Sequence, residues 1–166
     1  TYIECTGSFD LVTPPINCWN KQGHSSLEIR GAIEQSCNVF FSTIGFELGK
    51  DSEGNFSEAR SLGMLQKYAS LMGLDRKTGI EISEASPQVS DKNAVPSYIG
   101  QGTNLFTTSQ LARYATTIAT SGSIYKLSLL NRVTDSKGNL VKEYPSEKEG
   151  QLDIASNIWD DIHDGM

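Results

Sequence analysis

Acyl-transfer and hydrolytic chemistry needs a nucleophile, a base that frees it and donors for the developing oxyanion. In the run "GHSSLEIRGAIEQSCNVFFSTIGFELG", Ser36-Cys37-Asn38 is a polar interruption between two apolar stretches. A serine hydroxyl there can relay a proton, and an asparagine amide can both donate and accept. The same side chains also serve as helix caps, and Ser-x-Asn alone does not separate the two uses. Cys37 with His24 or His163 would be a thiol and its base, but a cysteine between bulky apolar runs reads better as packing. Glu81 and Glu84 could pair as acid and base, and solvated surface is the better reading of them.

The chain has three cysteines, Cys5, Cys18 and Cys37. None belongs to a Cys-x-x-Cys pair with histidines at ligand spacing, which argues against zinc, so no metal and no cofactor is expected. Cys5 and Cys18 flank "CTGSFDLVTPPINCW". They are either a bridged loop of an oxidising compartment or two buried free thiols, and the sequence leaves both open.

Positioning these groups falls to a set of short elements. Prolines and glycines before Gly23 forbid long helix and predict extended pieces and turns. A helix is predicted over Leu27 to Gln35, with Ile29 and Ile33 on one face, and a second through Phe40, Ile44 and Leu48, closed by Gly49. The two are out of phase, so the chain must reset at Ser36 to Asn38, where Ser and Asn can cap free N–H groups. Beyond a polar excursion, Ser61 is predicted to cap a helix lined by Leu65, Tyr68, Leu71 and Met72 and stopped by Gly73. Ile80-Glu81-Ile82 alternates like a short strand. Thr108 can cap a helix burying Leu111, Ala115, Ile118 and Ala119, with Gly122 as its exit. A hairpin around "DSKGN" is predicted within Leu127 to Tyr144, and Ile154, Ile158 and Ile162 mark a last helix.

The segments "CWNKQGH", "SCNVFF", "LQKYASLMGLDRKTGIEI", "YIGQGTNLFTTSQLARYATTIATSG" and "LLNRVTDSKGNLVKEY" follow one another in the chain. In that order they resemble the transpeptidase domain of penicillin-binding proteins, and the "CW…GH" lead-in is closest to monofunctional, class B-like members. Ser25 departs from the family, which usually has glycine after Gly-His. The resemblance implies the α+β penicillin-recognising fold, of which these residues would supply the helical part, mainly α with a small β-hairpin. It also implies a D,D-transpeptidase that cross-links peptidoglycan stem peptides ending in D-Ala-D-Ala through a serine acyl-enzyme and that is acylated by β-lactam antibiotics. Ser36 would pass protons between a lysine and the leaving amine, and Asn38 would bind the substrate backbone. Alternatives are a β-lactam sensor or β-lactamase of the same fold, or a non-catalytic binding module.

Two spellings tempt. Lys77-Thr78-Gly79 copies the family's third motif, but it stands ahead of the "GQG" region, whereas the catalytic version should follow it. Ser123-Ile124-Tyr125-Lys126 copies the nucleophile's Ser-x-x-Lys, yet it comes after the Ser-x-Asn and heads a strand-like stretch. Both read as incidental, so the nucleophile and the third motif are expected outside these residues. The chain is accordingly expected to be one partial domain, residues 1–166, truncated at both ends. Gln101, between two glycines, is a candidate for shaping the cleft.

Net charge −6 and pI 4.9 leave no basic surface to track phosphates, so nucleic acid is not expected as a partner. No run reaches the roughly 18 apolar residues of a membrane span. The resemblance implies a parent protein on the extracytoplasmic face of the bacterial cell membrane, working with other cell-wall synthesis proteins.

Overall fold

The computed structural model describes all of residues 1–166. Four short strands come first: β1 (Ile3–Cys5), β2 (Ser8–Phe9), β3 (Ile16–Asn17) and β4 (Ser25–Leu27). They pair antiparallel as β1 with β4 and β2 with β3. The first helix, α1 (Ile29–Glu34), starts two residues later than predicted, because Leu27 is taken into β4. Helix α2 (Asn38–Leu48) ends at Gly49, as its pattern predicts.

The reset between α1 and α2 is real, but its chemistry differs from expectation. Neither Ser36 nor Asn38 is the cap. Cys37 is, its sulfur accepting the Phe40 N–H at 3.5 Å. Ser36 takes the left-handed conformation, φ +47°, that turns the chain. Trp19 Nε1 closes the end of α1 by donating to the Gln35 carbonyl at 2.8 Å.

Helix α3 (Glu58–Leu71) is capped by Ser57 rather than Ser61. Ser61 lies fully buried instead, its hydroxyl donating to the Gly45 carbonyl of α2 at 2.7 Å. The helix therefore begins a turn earlier and buries Ser61, Leu62 and Ala69, while Tyr68 and Leu71 of the predicted stripe are exposed. Ile80-Glu81-Ile82 is a bend and not a strand. A short helix, α4 (Ala94–Ser97), packs with α2 and α3, and Tyr98 donates to the Ser61 carbonyl at 2.9 Å.

Helix α5 (Thr108–Ala119) is capped by Thr107, one residue before the predicted Thr108, in a capping box with Gln110. Its buried face reverses the predicted one. Gln110, Arg113 and Thr117 are inside, whereas Leu111, Ala115 and Ala119 are exposed. Periodicity assigned the apolar stripe inward, but the inward groups are polar and satisfied: Gln110 reaches the Ala85 carbonyl, Arg113 three carbonyls, and Thr117 the Arg113 carbonyl.

Strand β5 (Ser123–Tyr125) pairs with β8 (Lys148–Gln151). Between them, β6 (Arg132–Thr134) and β7 (Leu140–Glu143) form the predicted hairpin around Asp135 to Asn139. Helix α6 (Ser156–Gly165) docks on α1, where Arg30 bridges Asp161 and Asp164 at 2.7 Å each. The four two-stranded sheets make the chain a mixed α/β structure, with more strand than the single hairpin expected. Its main core gathers Cys5, Phe9, Cys18, Ala32, Cys37, Val39, Phe40 and Val95. No helix is long and apolar enough to cross a membrane.

Candidate active site

Ser36 and Asn38 flank a side chain that is wholly buried. Cys37 is 0% exposed, whereas Ser36 is exposed and Asn38 half-buried. Alternation follows from the left-handed turn at Ser36, which sends its side chain outward just before α2 begins. Asn38 is the first residue of α2, and its Nδ2 donates to the Asn17 carbonyl at 3.0 Å, tying the helix start to β3. The junction thus holds a hydroxyl and an amide on the solvent side of a rigid helix start. Two cavities lie away from the junction: one between α5 and the β6–β7 hairpin, the other between the Val12 to Ile16 segment and α4.

A thiol nucleophile is ruled out at this junction. Burial, partly offset by the Phe40 N–H, pushes the Cys37 thiol up to about 12, so it stays protonated at neutral pH. His163 is on α6 and engages the Ile118 carbonyl at 2.8 Å through Nε2. His24, by contrast, does approach the buried cysteines. Its Nδ1 is 3.5 Å from Cys5 Sγ and 3.6 Å from Cys18 Sγ. The three thiols are free, which favours the second of the two readings of Cys5 and Cys18. Linear spacing argues against a metal site, yet folding places these sulfurs and a histidine nitrogen within 4.8 Å of one another.

The two tempting spellings resolve into structure. Ser123 opens β5 and Lys126 lies just past its end, beyond an irregularity in the pairing at Ile124 and Tyr125. Ser123 is buried, donating to Gln151 Oε1 at 2.9 Å, and Lys126 pairs with Glu147 at 3.6 Å. Nothing couples that hydroxyl to that amine. Lys77-Thr78-Gly79 is a loop fixed from two sides. The Arg113 guanidinium donates to the Lys77 and Arg76 carbonyls at 3.0 Å and also to that of Gly73. Thr78 is fully buried. No hydrogen bond or ion pair joins Lys77 to Ser36.

Glu84 overturns the reading of it as solvated surface. Its carboxylate accepts the Thr78 N–H at 2.7 Å, the Thr78 and Thr107 hydroxyls at 3.1 Å and the Ser109 hydroxyl at 2.6 Å. Burial raises its pKa, but hydrogen bonds led by that of Ser109 outweigh this and hold it below the ordinary carboxylate value. Glu84 is a structural staple between the Thr78 loop and the start of α5. Glu81 is exposed, held by the Leu129 N–H at 2.9 Å and by Ser128. Gln101 is exposed and its N–H reaches the Pro96 carbonyl at 3.0 Å. At the adjoining Gly102, φ is +117° and a Cβ would collide with Ser97 Oγ, so only glycine fits. Sequence reasoning missed the roles of Glu84 and Arg113, since their partners are distant in the chain and mostly backbone.

Comparison with known proteins adds a family. A family model described as the penicillin binding protein transpeptidase domain matches residues 6–166. The chain is 27% identical over 165 residues to the peptidoglycan D,D-transpeptidase MrdA of Salmonella typhimurium, a match covering 89% of this chain and 24% of that protein. It is also 27% identical over 155 residues to penicillin-binding protein 2A of Bacillus subtilis, covering 83% of this chain and 21% of the relative. The chain therefore spans about a quarter of the length of the curated relatives it matches. Among solved structures, penicillin-binding protein 2B of Streptococcus pneumoniae superposes with a TM-score of 0.79 at 20% identity, covering 99% of this chain and 30% of that one. That likeness is one of fold.

Proposed function

The chain belongs to the penicillin-binding protein transpeptidase domain family, and from that premise we propose that Ser36 and Asn38 belong to the active site of a peptidoglycan D,D-transpeptidase. The observation that carries the proposal is the Ser36-Cys37-Asn38 junction, where an exposed hydroxyl and a half-buried amide are held at the first turn of α2 by a buried neighbour.

In this reading a serine of a Ser-x-x-Lys motif, carried elsewhere in the parent protein, attacks the carbonyl between the two terminal D-alanines of a stem peptide. A serine ester forms, the peptide C–N bond breaks, and the leaving amine takes a proton. Ser36 relays that proton from the lysine, and the Asn38 amide holds the peptide backbone. A β-lactam enters the same site and acylates the same serine. These residues supply the helical part of the penicillin-recognising fold. The parent works on the extracytoplasmic face of the cell membrane, among other cell-wall synthesis proteins.

The test is acylation by a fluorescent penicillin. The 166 residues alone are expected to remain unlabelled, since neither Ser36 nor Ser123 has an activating lysine. The parent chain should label with one equivalent, and Ser36→Ala in the parent should slow acylation by about 10²–10⁴-fold, the usual worth of positioned proton transfer. Labelling of the 166 residues that disappears in Ser36→Ala or Ser123→Ala would overturn the assignment of roles. So would an unchanged acylation rate in the parent variant.

A further inference from the structure

We infer that the cavity between α5 and the β6–β7 hairpin is a binding site for a neutral saccharide, and that its occupant is the glycan strand from which the stem peptides hang. The saccharide class stands on the geometry of the cavity. Only the identity of the glycan rests on the transpeptidase reading.

Strands β5 and β8 form one antiparallel pair and β6 and β7 another, so the chain between them runs as a single ribbon that opens in its middle. The opening is closed at one end by the Lys126 N–H on the Glu147 carbonyl at 3.0 Å, and at the other by the Tyr144 N–H on the Asn131 carbonyl at 2.8 Å. Between these bonds Pro145 has no N–H with which to continue the ladder. The facing segment is drawn aside. Leu127 donates its N–H to the Thr78 carbonyl at 3.1 Å, while the Glu81 carboxylate accepts the Leu129 N–H at 2.9 Å and the Ser128 hydroxyl. The gap that remains meets α5 at Thr116 and Thr120 and has a volume of about 930 Å³, which suits a ligand of several rings.

Four neutral side chains on its wall carry polar groups with no partner in the chain: the hydroxyls of Tyr125, Tyr144 and Ser146 and the amide of Asn131. A sugar ring is a girdle of hydroxyls, each both donor and acceptor, around faces made of C–H groups. Phenol, hydroxyl and amide all donate and accept, and an aromatic ring is a rigid flat partner for a C–H face. The Lys142 Nζ lies 4.4 Å from the centre of the Tyr144 ring and holds that ring at the wall in advance of a ligand.

Charge in the lining selects neither an anion nor a cation. Three carboxylates stand against two ammonium groups, and the odd carboxylate, Glu81, is already taken by Leu129 and Ser128. Lys126 faces Glu147 at 3.6 Å, and Lys142 is followed in the chain by Glu143. A peptide is disfavoured for a different reason. Strand addition needs a run of free backbone groups, but the N–H groups of Lys126, Leu127, Leu129, Leu130 and Tyr144 are all bonded within the chain. What stays free is side-chain and uncharged.

The glycan of a peptidoglycan fits this lining, because the sugar's acid group is consumed as an amide wherever a stem peptide is attached. The Ser36–Asn38 junction would take the peptide, and this cavity the sugar chain that bears it.

The probe is chitotetraose, a soluble neutral oligosaccharide of N-acetylglucosamine, titrated into the full parent chain and followed by calorimetry and saturation-transfer NMR. Saturable binding at millimolar saccharide or below is expected. Tyr144→Ala should weaken it by about 10-fold, the worth of one aromatic contact, and Asn131→Ala, at an exposed position, by about 3- to 10-fold. Tyr144→Phe, which keeps the ring, should lose less than Tyr144→Ala. Should Tyr144→Ala fail to fold, Asn131→Ala and Tyr144→Phe decide. Absence of saturable binding, or binding that none of these substitutions weakens, would overturn the site. A stem pentapeptide that binds in place of the saccharide, and is lost in Asn131→Ala, would overturn the saccharide class. Cellotetraose, which lacks the acetamido groups, binding as tightly as chitotetraose would keep the class and sink the identification with the glycan strand. Fluorescent penicillin applied to the same preparation separates the two readings. Labelling without saccharide binding sinks this site alone, and saccharide binding without labelling sinks the transpeptidase assignment alone.

Discussion

Ser36 and Glu84 show how single side chains are held against their ordinary preferences. Ser36 occupies a left-handed conformation that costs a non-glycine residue about 1–2 kcal/mol, and it does so beside the proposed catalytic junction. Ser36→Gly should therefore preserve or raise stability, by up to about 1 kcal/mol in urea unfolding, while removing the proposed proton relay. A loss of stability would show that the hydroxyl is structural. Glu84 is a buried-side staple whose carboxyl is held below its ordinary value by donors from Ser109, Thr78 and Thr107, against the opposing effect of burial. Because the folded value is depressed, the stability it contributes is present above the unfolded carboxylate range and is lost as pH falls through the folded value. Glu84→Gln keeps the shape and removes the charge. It should destabilise the chain by about 1.5–3 kcal/mol at pH 7, the range for hydrogen bonds to charged groups, and by progressively less in acid. Equal losses at pH 7 and pH 3, measured by denaturant unfolding, would contradict the charge argument.

At the scale of elements, α5 is the informative case because its inward face is polar. Arg113 is 1% exposed, lies along the loop of Gly73 to Lys77, and satisfies three carbonyls that would otherwise be orphans at the end of α3. Glu149 stands 3.8 Å away as its partial counter-ion. Arg113→Met should cost about 3 kcal/mol or more, since the buried Gly73 carbonyl, the part-buried bonds to the Arg76 and Lys77 carbonyls and one carboxylate lose their donor. Leu111→Ala, on the outward face at 48% exposed, should stay within about 0.5 kcal/mol. Thermal unfolding of the pair decides between the two faces, and a larger loss at Leu111 would restore the apolar stripe as the buried one. The reset between α1 and α2 is an element-scale feature too. Apolar phase located it, but the cap turned out to be a cysteine sulfur, which propensity does not anticipate.

For the whole molecule, the strand region, α1, α2 and α4 share one core in which three cysteines are members. Phe40→Ala, in the middle of that core at 2% exposed, should cost about 3–5 kcal/mol. At about 2–4 °C per kcal/mol for a domain of this size, it should lower Tm on the order of 10 °C. A Tm that ignores the substitution would contradict a shared core.

By itself the sequence determined the features that depend on neighbours along the chain. The helix break at Ser36 to Asn38, the closure of α2 at Gly49, the hairpin around Asp135 to Asn139 and the family resemblance all rest on local periodicity, turn chemistry and motif order. Burial of Cys37 was legible for the same reason, as a greasy run on either side of it. Tertiary structure alone decided which face of α5 points inward, because the partners that satisfy Gln110 and Arg113 are carbonyls of residues remote in sequence. It alone made Glu84 a staple and Ser123 a satisfied strand residue. It also gathered Cys5, Cys18, His24 and Cys37, whose spacing shows no ligand pattern, since proximity there is created by strand pairing and by the start of α2 rather than by the local chain.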